Sequence, residues 1–443
     1  MAESKSIKEF ISILGAANVT TDSSGVTDYS IDGLVPKAVL FPENEEQISE
    51  ILKVASRESV SVMPVGSGTK RSLGNIPPSL DVLLSTQKLD RVLEHEARDL
   101  VATTQSGVTL EGFQNKLGEN NQFLSVNPMH QAHGATIGGI IASNASGPLR
   151  LRYGTLRELL IGLRVVRADG TVFKGGSKVV KNVAGYDLPK LYVGSLGTLG
   201  IITEATLRLY PVPERSETYL VSFTTLEKCA ETVMELLKSE LVMNSLELLN
   251  PLLVNEVTGR IGIELKRKKH ALAIRVMNVD KAVSEQMALV KKVCNKARGQ
   301  GVTVEGESEN KLWDEIVNCP WNKSSENLVK LKAGVLITDV ARVFSELEEL
   351  SSQRALILYA SSKAGNGIVD ITLKGDTADL ASTINTLREY CESGKGSLVI
   401  EAATPELKSE VDVWGDIGSG LALMKRIKSN FDPAGILNPG RFI

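Results

Sequence analysis

The stretch from Val179 to Tyr210, VVKNVAGYDLPKLYVGSLGTLGIITEATLRLY, sets glycines at 185, 194, 197 and 200 between apolar runs and then alternates apolar with polar residues. Glycine has no Cβ, so a main chain that carries it can lie against a flat ring or a phosphate more closely than other residues permit. The alternation in IITEATLRL predicts a half-buried strand. The segment therefore reads as tight turns delivering a strand whose main-chain groups border a ligand, although a loop of tight turns between helix and strand fits the same spacing.

Two further segments bear on that choice. PKAVLFPENEEQISEILKVASRESVSVMPVGSGTKRSLG reads as strand, helix, strand and glycine loop. Asn44 is placed to cap the helix, Glu45 and Glu46 fill its first turn, and Ile48, Ile51, Leu52, Val54 and Ala55 form one apolar face. The strand VSVMPV then delivers Gly66-Ser67-Gly68-Thr69. Successive N–H groups in such a loop make a nest for an anion, with the Ser67 and Thr69 hydroxyls as extra donors. Neither the GxxxxGK[ST] nor the GxGxxG spacing is met, which disfavours an ATP site or a Rossmann dinucleotide site. The third segment runs from Ala135-Thr136-Ile137-Gly138-Gly139 through small residues to Gly147. It leaves room for a cofactor, or for close packing of two backbones.

Taken together, these residues resemble the FAD-binding oxidases of the vanillyl-alcohol oxidase and p-cresol methylhydroxylase type, and within them the flavin subunits of glycolate oxidase and D-lactate dehydrogenase. Four blocks match in order: PVGSGTK; ATIGGIIASNASGP with RYGTLRELLIG; KNVAGYDLPKLYVGSLGTLGIITE; and FDPAGILNPGRF. The KNVAGYDL block is most similar to the glycolate oxidase FAD-binding subunit, which works beside a larger flavin subunit and an iron–sulfur subunit. The resemblance implies an α+β fold: residues 1–212 as a two-subdomain FAD-binding domain, 213–395 as a ferredoxin-like cap, and 396–443 as a segment returning to the FAD domain.

It also implies that Pro64, Val65, Gly66, Ser67, Gly68 and Thr69 hold the FAD pyrophosphate. Pro128, Ala135, Thr136, Gly138, Gly139 and Ser143 would run along the cofactor toward the flavin. Gly197, Thr198, Gly200, Ile201 and Ile202 would border the adenosine half, and Asn438 the isoalloxazine. Thr69 stands where some members carry a histidine joined to the flavin, which implies a non-covalent FAD.

A chain of 443 residues is long enough for two or three domains, each with its own core. The net charge of −3 gives no reason to invoke nucleic acid. No stretch approaches the ~20 apolar residues of a transmembrane helix, and the first residues lack the apolar core of a secretory signal. The expectation is a cytoplasmic protein without direct membrane insertion, which partners could hold at the inner face of a membrane. Cys229, Cys294, Cys319 and Cys391 form no CxxC pair, which argues against an iron–sulfur cluster carried by this chain.

From about Pro213 to Cys391 the pattern becomes strand, helix, strand, strand, helix, given twice: TYLVSFTT, LEKCAETVMELLKSE, SLELLN, HALAIRVM and 280–298; then LVKLKAGVL, VARVFSELEEL, RALILYAS, GIVDITL and TADLASTINTLREYC. Such repeats suggest ferredoxin-like units. The basic residues from Lys266 to His270 suit a solvated loop.

Many relatives bind a divalent metal beside the flavin through histidines in an HxGDGNxH-like hairpin and a later Glu-His pair. Here Gly365, Asn366 and Gly367 survive as a turn, Val369 falls at a ligand position, and Ala402 follows Glu401 where a histidine would stand. No metal site is expected. Oxidation of a 2-hydroxy acid needs a base for the hydroxyl proton and a cation for the carboxylate. The candidates are His130, His133 and Arg152, with Lys330, Lys332, Tyr359 and Lys363 of the cap behind them. A loop histidine bonded to backbone and a structural ion pair are the competing readings. Two functions stay open: a subunit passing electrons to an iron–sulfur partner beside a second flavoprotein, and a stand-alone dehydrogenase of a small 2-hydroxy acid.

Overall fold

A computed structural model describes residues 5–177, 186–267, 269–319 and 327–443. Gly185 and the start of the Val179 run lie outside the described residues, as does Lys268 of the basic loop.

The FAD-binding part is built on two sheets. In the first, the order is Val19–Thr20, Ala38–Leu40, Val82–Ser85, Val62–Val65, and the last three strands are parallel. The crossover helix is Glu45–Glu58, capped as foreseen: the Asn44 side chain accepts the Gln47 N–H at 2.9 Å. Its Ile48, Ile51, Leu52 and Ala55 pack with Leu40, Val62, Val82 and Leu84, each buried Ile, Leu or Val contributing about 1.5–3 kcal/mol.

The second sheet is antiparallel, in the order Val92–Glu96, Val101–Gln105, Ile201–Arg208, Leu160–Val166, Val172–Gly176. IITEATLR is thus its central strand, with Ala205 and Leu207 fully buried and Arg208 exposed. The chain end joins the first sheet. Val62 donates to the Ile436 carbonyl at 2.8 Å and Asn438 donates to the Val62 carbonyl at 2.9 Å.

The cap is one eight-stranded sheet made of two ferredoxin-like halves. Arg215–Ser222, Ser245–Leu249, Ala271–Asn278 and Gln300–Glu305 lie in the order fourth, first, third, second. The second half repeats that order with Leu328–Gly334, Ile357–Lys363, Ile368–Lys374 and Ser397–Ala402, and the halves join where Ser245–Leu249 pairs antiparallel with Ile357–Lys363. The fourth strand of each half was not foreseen. Neither were the helices Pro251–Ile261 and Gly306–Asn318. Because Ser397–Ala402 pairs with Leu328–Gly334, the segment from 396 begins inside the cap sheet. It crosses to the FAD-binding part only afterwards, where Lys408 and Arg441 both pair with the buried Asp32.

Alternation along the cap strands sorts the residues onto two faces. Val329, Leu331, Ala333, Val369, Ile371, Leu398 and Ile400 belong to the helix-covered core. Lys330, Lys332, Asp370 and Thr372 alternate with them and face the FAD-binding part. Val369, aligned by sequence with a ligand position, is therefore turned into the core. A one-residue change of register exchanges the two faces, and Asp370 is the residue presented.

Candidate functional site

The C-terminal end of strand Val62–Val65 opens into a cleft with about 1020 Å3 of space between its walls, part of it continuous with solvent. Pro64, Val65, Gly66, Ser67, Gly68, Thr69, Ala135, Thr136, Gly138, Gly139, Ser143, Gly197, Gly200, Ile201, Ile202 and Asn438 all line it. Two sequence candidates do not. Pro128 lines a neighbouring groove with Gln131 and Trp313. Thr198 is folded into its own turn: its hydroxyl donates to the Ser195 carbonyl at 2.7 Å, and its carbonyl accepts Lys428 Nζ at 2.8 Å.

The glycines of the cleft divide by what they adjoin. A Cβ on Gly66 would lie 2.1 Å from Thr136 Oγ1, one on Gly138 2.7 Å from Ser106 Cβ, and one on Gly197 2.4 Å from Pro64 Cγ. These three let protein close on protein, which spacing alone could not distinguish from approach to a ligand. Gly139 differs, since its Cβ would meet only Thr136 Oγ1, at 3.1 Å, and otherwise stand in the cleft.

The polar lining fits a dinucleotide. Among the described residues, the main-chain N–H groups of Ser67, Gly68 and Thr69 donate to no carbonyl, as a nest awaiting an anion requires. Asn438, held at φ 46° in the left-handed region, donates through Nδ2 to the Leu196 carbonyl at 2.6 Å, while its buried Oδ1 has no hydrogen-bond partner. Ser106 Oγ, also on the cleft wall, is buried and unpartnered as well. Buried polar atoms left in this way are costly without a ligand.

Met129 is shared between this cleft and a small second pocket between Ser146, Gly147 and Pro148 on one side and the polar face of the cap sheet on the other, with about 30 Å3 of room for water-sized groups. Strand register builds that face. Glu247 is directly opposite Lys363, Asp370 lies between Ser361 and Lys332, and Thr372 is opposite Lys330. A bulge sets Lys330 against Ala402 but Leu331 against Ile400, leaving Glu401 as the extra residue.

Glu401 is buried and takes Lys332 Nζ at 2.8 Å on one oxygen and Lys70 Nζ at 3.1 Å on the other. Burial alone would raise its pKa, but the two ammonium groups hold it far below the carboxylate range. The same carboxylate raises Lys332, whereas burial lowers Lys70. Burial also lowers Lys330 to about 7 and raises Glu247 to about 8. Lys363 is paired with Asp370.

Of the sequence candidates for catalysis, His130 lines neither pocket but lies close enough to feel the charges of this site. It opens the turn Gln131–His133 at φ 64°, its N–H donates to Asn318 Oδ1 at 2.9 Å, and Lys70, Lys330 and Glu401 act on its ring. Burial, then the two lysines, lower its pKa to about 4, so the ring is neutral at physiological pH. His133 is exposed, with its ring centre 5.7 Å from that of His130. Arg152 is exposed and lines neither pocket. One helical half-turn earlier, Arg150 also lines neither pocket, but it bonds Ser146 Oγ of the pocket wall at 3.1 Å and feels Glu158 and Asp370. Lys330 and Lys363 line the pocket and Lys332 faces it through Glu401, whereas Tyr359 packs in the apolar cluster of Trp313. Among the described residues no group of three or more His, Cys, Asp or Glu is disposed to hold a metal, and no helix is long and apolar enough to cross a membrane.

Comparison with known proteins gives two family matches: an FAD binding domain over residues 36–176, and the C-terminal domain of FAD-linked oxidases over 212–369 and 417–442. The glycolate oxidase subunit GlcD of Bacillus subtilis is 30% identical over 99% of this chain and 96% of its own length. The D-lactate dehydrogenase of Archaeoglobus fulgidus is 30% identical, covering 91% of each chain. Among solved structures, p-cresol methylhydroxylase with substrate bound superposes with a TM-score of 0.79 at 17% identity, over 99% of this chain and 96% of that one, a likeness of fold.

Proposed function

The chain belongs to the FAD-linked oxidases, and from that premise we propose that it oxidises a small 2-hydroxy acid and passes the electrons to an iron–sulfur partner. Its cofactor is FAD. The observation that carries the substrate reading is the pocket of lysines and carboxylates sharing Met129 with the cofactor cleft. Such a pocket supplies the base and the positive charge that a hydroxy acid needs.

When bound, FAD supplies the two-electron acceptor. The protein's own residues do the rest. The amides of Ser67, Gly68 and Thr69 bind the pyrophosphate, and Asn438 Oδ1 accepts a donor from the cofactor. Thr69 offers no ring nitrogen for attachment, so the cofactor is held without a covalent bond and acid precipitation releases it. At the edge of the pocket, Lys332 beside Glu401 and Arg150 beside Ser146 supply positive charge for the substrate carboxylate. Lys330 takes the hydroxyl proton on Nζ, because its pKa near 7 leaves much of it as the free amine at neutral pH. His130, neutral under the same conditions, orients the hydroxyl group.

The four cysteines are all buried in the cap and distant in sequence, which supports electron exit through iron–sulfur centres on another subunit, beside a second flavoprotein. The stand-alone dehydrogenase is favoured by a different observation, the fully furnished pocket in this chain.

Anaerobic addition of glycolate, D-lactate and longer 2-hydroxy acids to purified protein tests the chemistry: one or more should bleach the flavin absorbance, and no bleaching by any of them would remove the substrate reading. Stable co-purification with an iron–sulfur protein supports the complex. A lone, monodisperse chain that turns over with a soluble acceptor removes the need for one.

A further inference from the structure

The glycine loop that follows Val62–Val65 is tied down from a distant part of the chain. Lys408, on the helix Pro405–Glu410 that follows the last cap strand, donates from Nζ to the Ser72 carbonyl at 2.5 Å and to Asp32 Oδ1 at 2.8 Å. Arg441 donates through Nη1 to Asp32 Oδ2 and to the Asn75 carbonyl, both at 2.5 Å, and through Nη2 to the Arg71 carbonyl. Its own carbonyl accepts the Asn75 N–H and Trp414 Nε1, each at 3.0 Å. Gly74, at φ 106°, lets loop and tail close on each other, since a Cβ there would lie 2.5 Å from the Arg441 carbonyl oxygen.

The side chains of Lys408, Arg441 and Asp32 are 1%, 2% and 3% exposed. Ion pairs taken this far out of water add little stability over apolar residues of the same volume, and their use lies rather in fixing a single conformation. Here the conformation fixed is that of the loop. The Arg71 N–H donates to the Gly68 carbonyl at 3.2 Å and the Leu73 N–H to the Lys70 carbonyl at 3.0 Å, so the turn held by the two cations continues directly from the amides of Ser67, Gly68 and Thr69. Arg441 lines the cofactor cleft, but both ends of its guanidinium group are committed to the loop and Asp32, and Lys408 does not line the cleft.

We propose that Lys408 and Arg441, with Asp32 between them, are positioning residues for the cofactor: they hold the carbonyls of Arg71, Ser72 and Asn75 so that the three amides point at the FAD pyrophosphate before it arrives. This rests on the reading of those amides as the pyrophosphate site. An anion site shaped in advance loses no binding free energy to ordering its own loop, so FAD affinity depends on a lysine that lies outside the cleft. Riboflavin, which carries the ring system without a phosphate, does not use the loop.

The test is fluorescence titration of the full-length apoprotein with FAD and with riboflavin, its melting temperature being followed alongside. The wild type should bind FAD the more tightly, and Lys408→Met should weaken FAD binding roughly tenfold or more while leaving riboflavin affinity unchanged. Arg441→Lys, which keeps a charge facing Asp32 but gives up the bonds to the Arg71 and Asn75 carbonyls, should move FAD affinity in the same direction, and it decides the matter where Lys408→Met fails to fold. A folded variant of either kind that keeps the full preference for FAD overturns the proposal. Equal weakening of both flavins also overturns it, since that marks a cluster with a purely structural part. Equal binding of the two flavins by the wild type removes instead the pyrophosphate reading of the loop, and the positioning role with it.

Discussion

Lys70 Nζ on the glycine loop of the FAD-binding part lies 3.1 Å from Glu401 Oε2 on the cap sheet, across 331 positions of sequence. This contact joins the cap to the glycine loop at the cofactor cleft, and Lys332, its side chain 30% exposed, completes a triad around the buried Glu401. Removing the carboxylate leaves two ammonium groups near each other, both at least partly withdrawn from water. Glu401→Gln should therefore lower unfolding stability by about 3–5 kcal/mol, read as a fall in the urea midpoint. The folded pKa of Glu401 is depressed below its ordinary 4.5. The stabilisation is thus fully present above the unfolded pKa and is lost as pH falls through the acid range toward the folded value. The wild type should lose stability below about pH 4.5 more steeply than the variant; parallel curves would show that the triad contributes nothing.

The glycines of the cleft can be separated by substitution. Gly139→Leu directs its side chain into the cleft from a helix, where leucine is favoured over glycine by roughly 0.8 kcal/mol, a gain that offsets the 3.1 Å approach of its Cβ to Thr136 Oγ1. The apoprotein should keep its melting temperature while FAD affinity, followed by fluorescence titration, falls tenfold or more. Gly66→Ala forces its Cβ against Thr136, 2.1 Å away in the present backbone. It should lower the apoprotein's stability by about 1–3 kcal/mol. A Gly139→Leu protein that binds FAD normally would show that the cleft is not the cofactor site.

These two glycines mark what the sequence could and could not convey. The loop Gly66 to Thr69, the capped helix behind Asn44 and the strand from Ile201 were legible because caps, periodicity and glycine turns are local signals. Gly66 and Gly139 look alike in the chain, and only the approach of Thr136 from another element distinguishes them. Glu401 and Arg150 were harder for the same reason. Glu401 reaches the pocket through a bulge set by pairing with Lys330 and Leu331, and Arg150 is distinguished from Arg152 by helix phase. The strands Gln300–Glu305 and Ser397–Ala402 lack strong alternation by themselves, and pairing at the ends of each half-sheet stabilises them.

Lys330 gives the proposed reaction a pH signature. The amine must be neutral to take a proton, and burial brings its pKa to about 7. Below that value the group is charged and inactive as a base, and above it the free amine predominates. The rate constant for flavin reduction at saturating substrate should therefore rise about tenfold per pH unit below 7 and level off above it. Lys330→Met should lose the rise together with most of the rate, at least 100-fold. His130, already neutral from about pH 4 upward, should contribute no limb between pH 5 and 9. A flat profile in the wild type would transfer the base to another group.

The cysteines offer a check on the route by which electrons leave. All four are fully or almost fully buried, and burial raises the thiol pKa of Cys294 to about 12 and that of Cys391 to about 11, with Cys229 raised further still. Thiolate is the form that attacks disulfide reagents and binds iron. The native protein should then leave all four thiols unmodified by an aromatic disulfide reagent over a period in which the urea-unfolded chain reacts completely. Iron and acid-labile sulfide should be absent from the purified chain even after reconstitution with ferrous iron and sulfide. A rapidly modified thiol in the folded protein, or a cluster absorbance after reconstitution, would mean that this chain carries its own redox centre, and the requirement for an iron–sulfur subunit would fall.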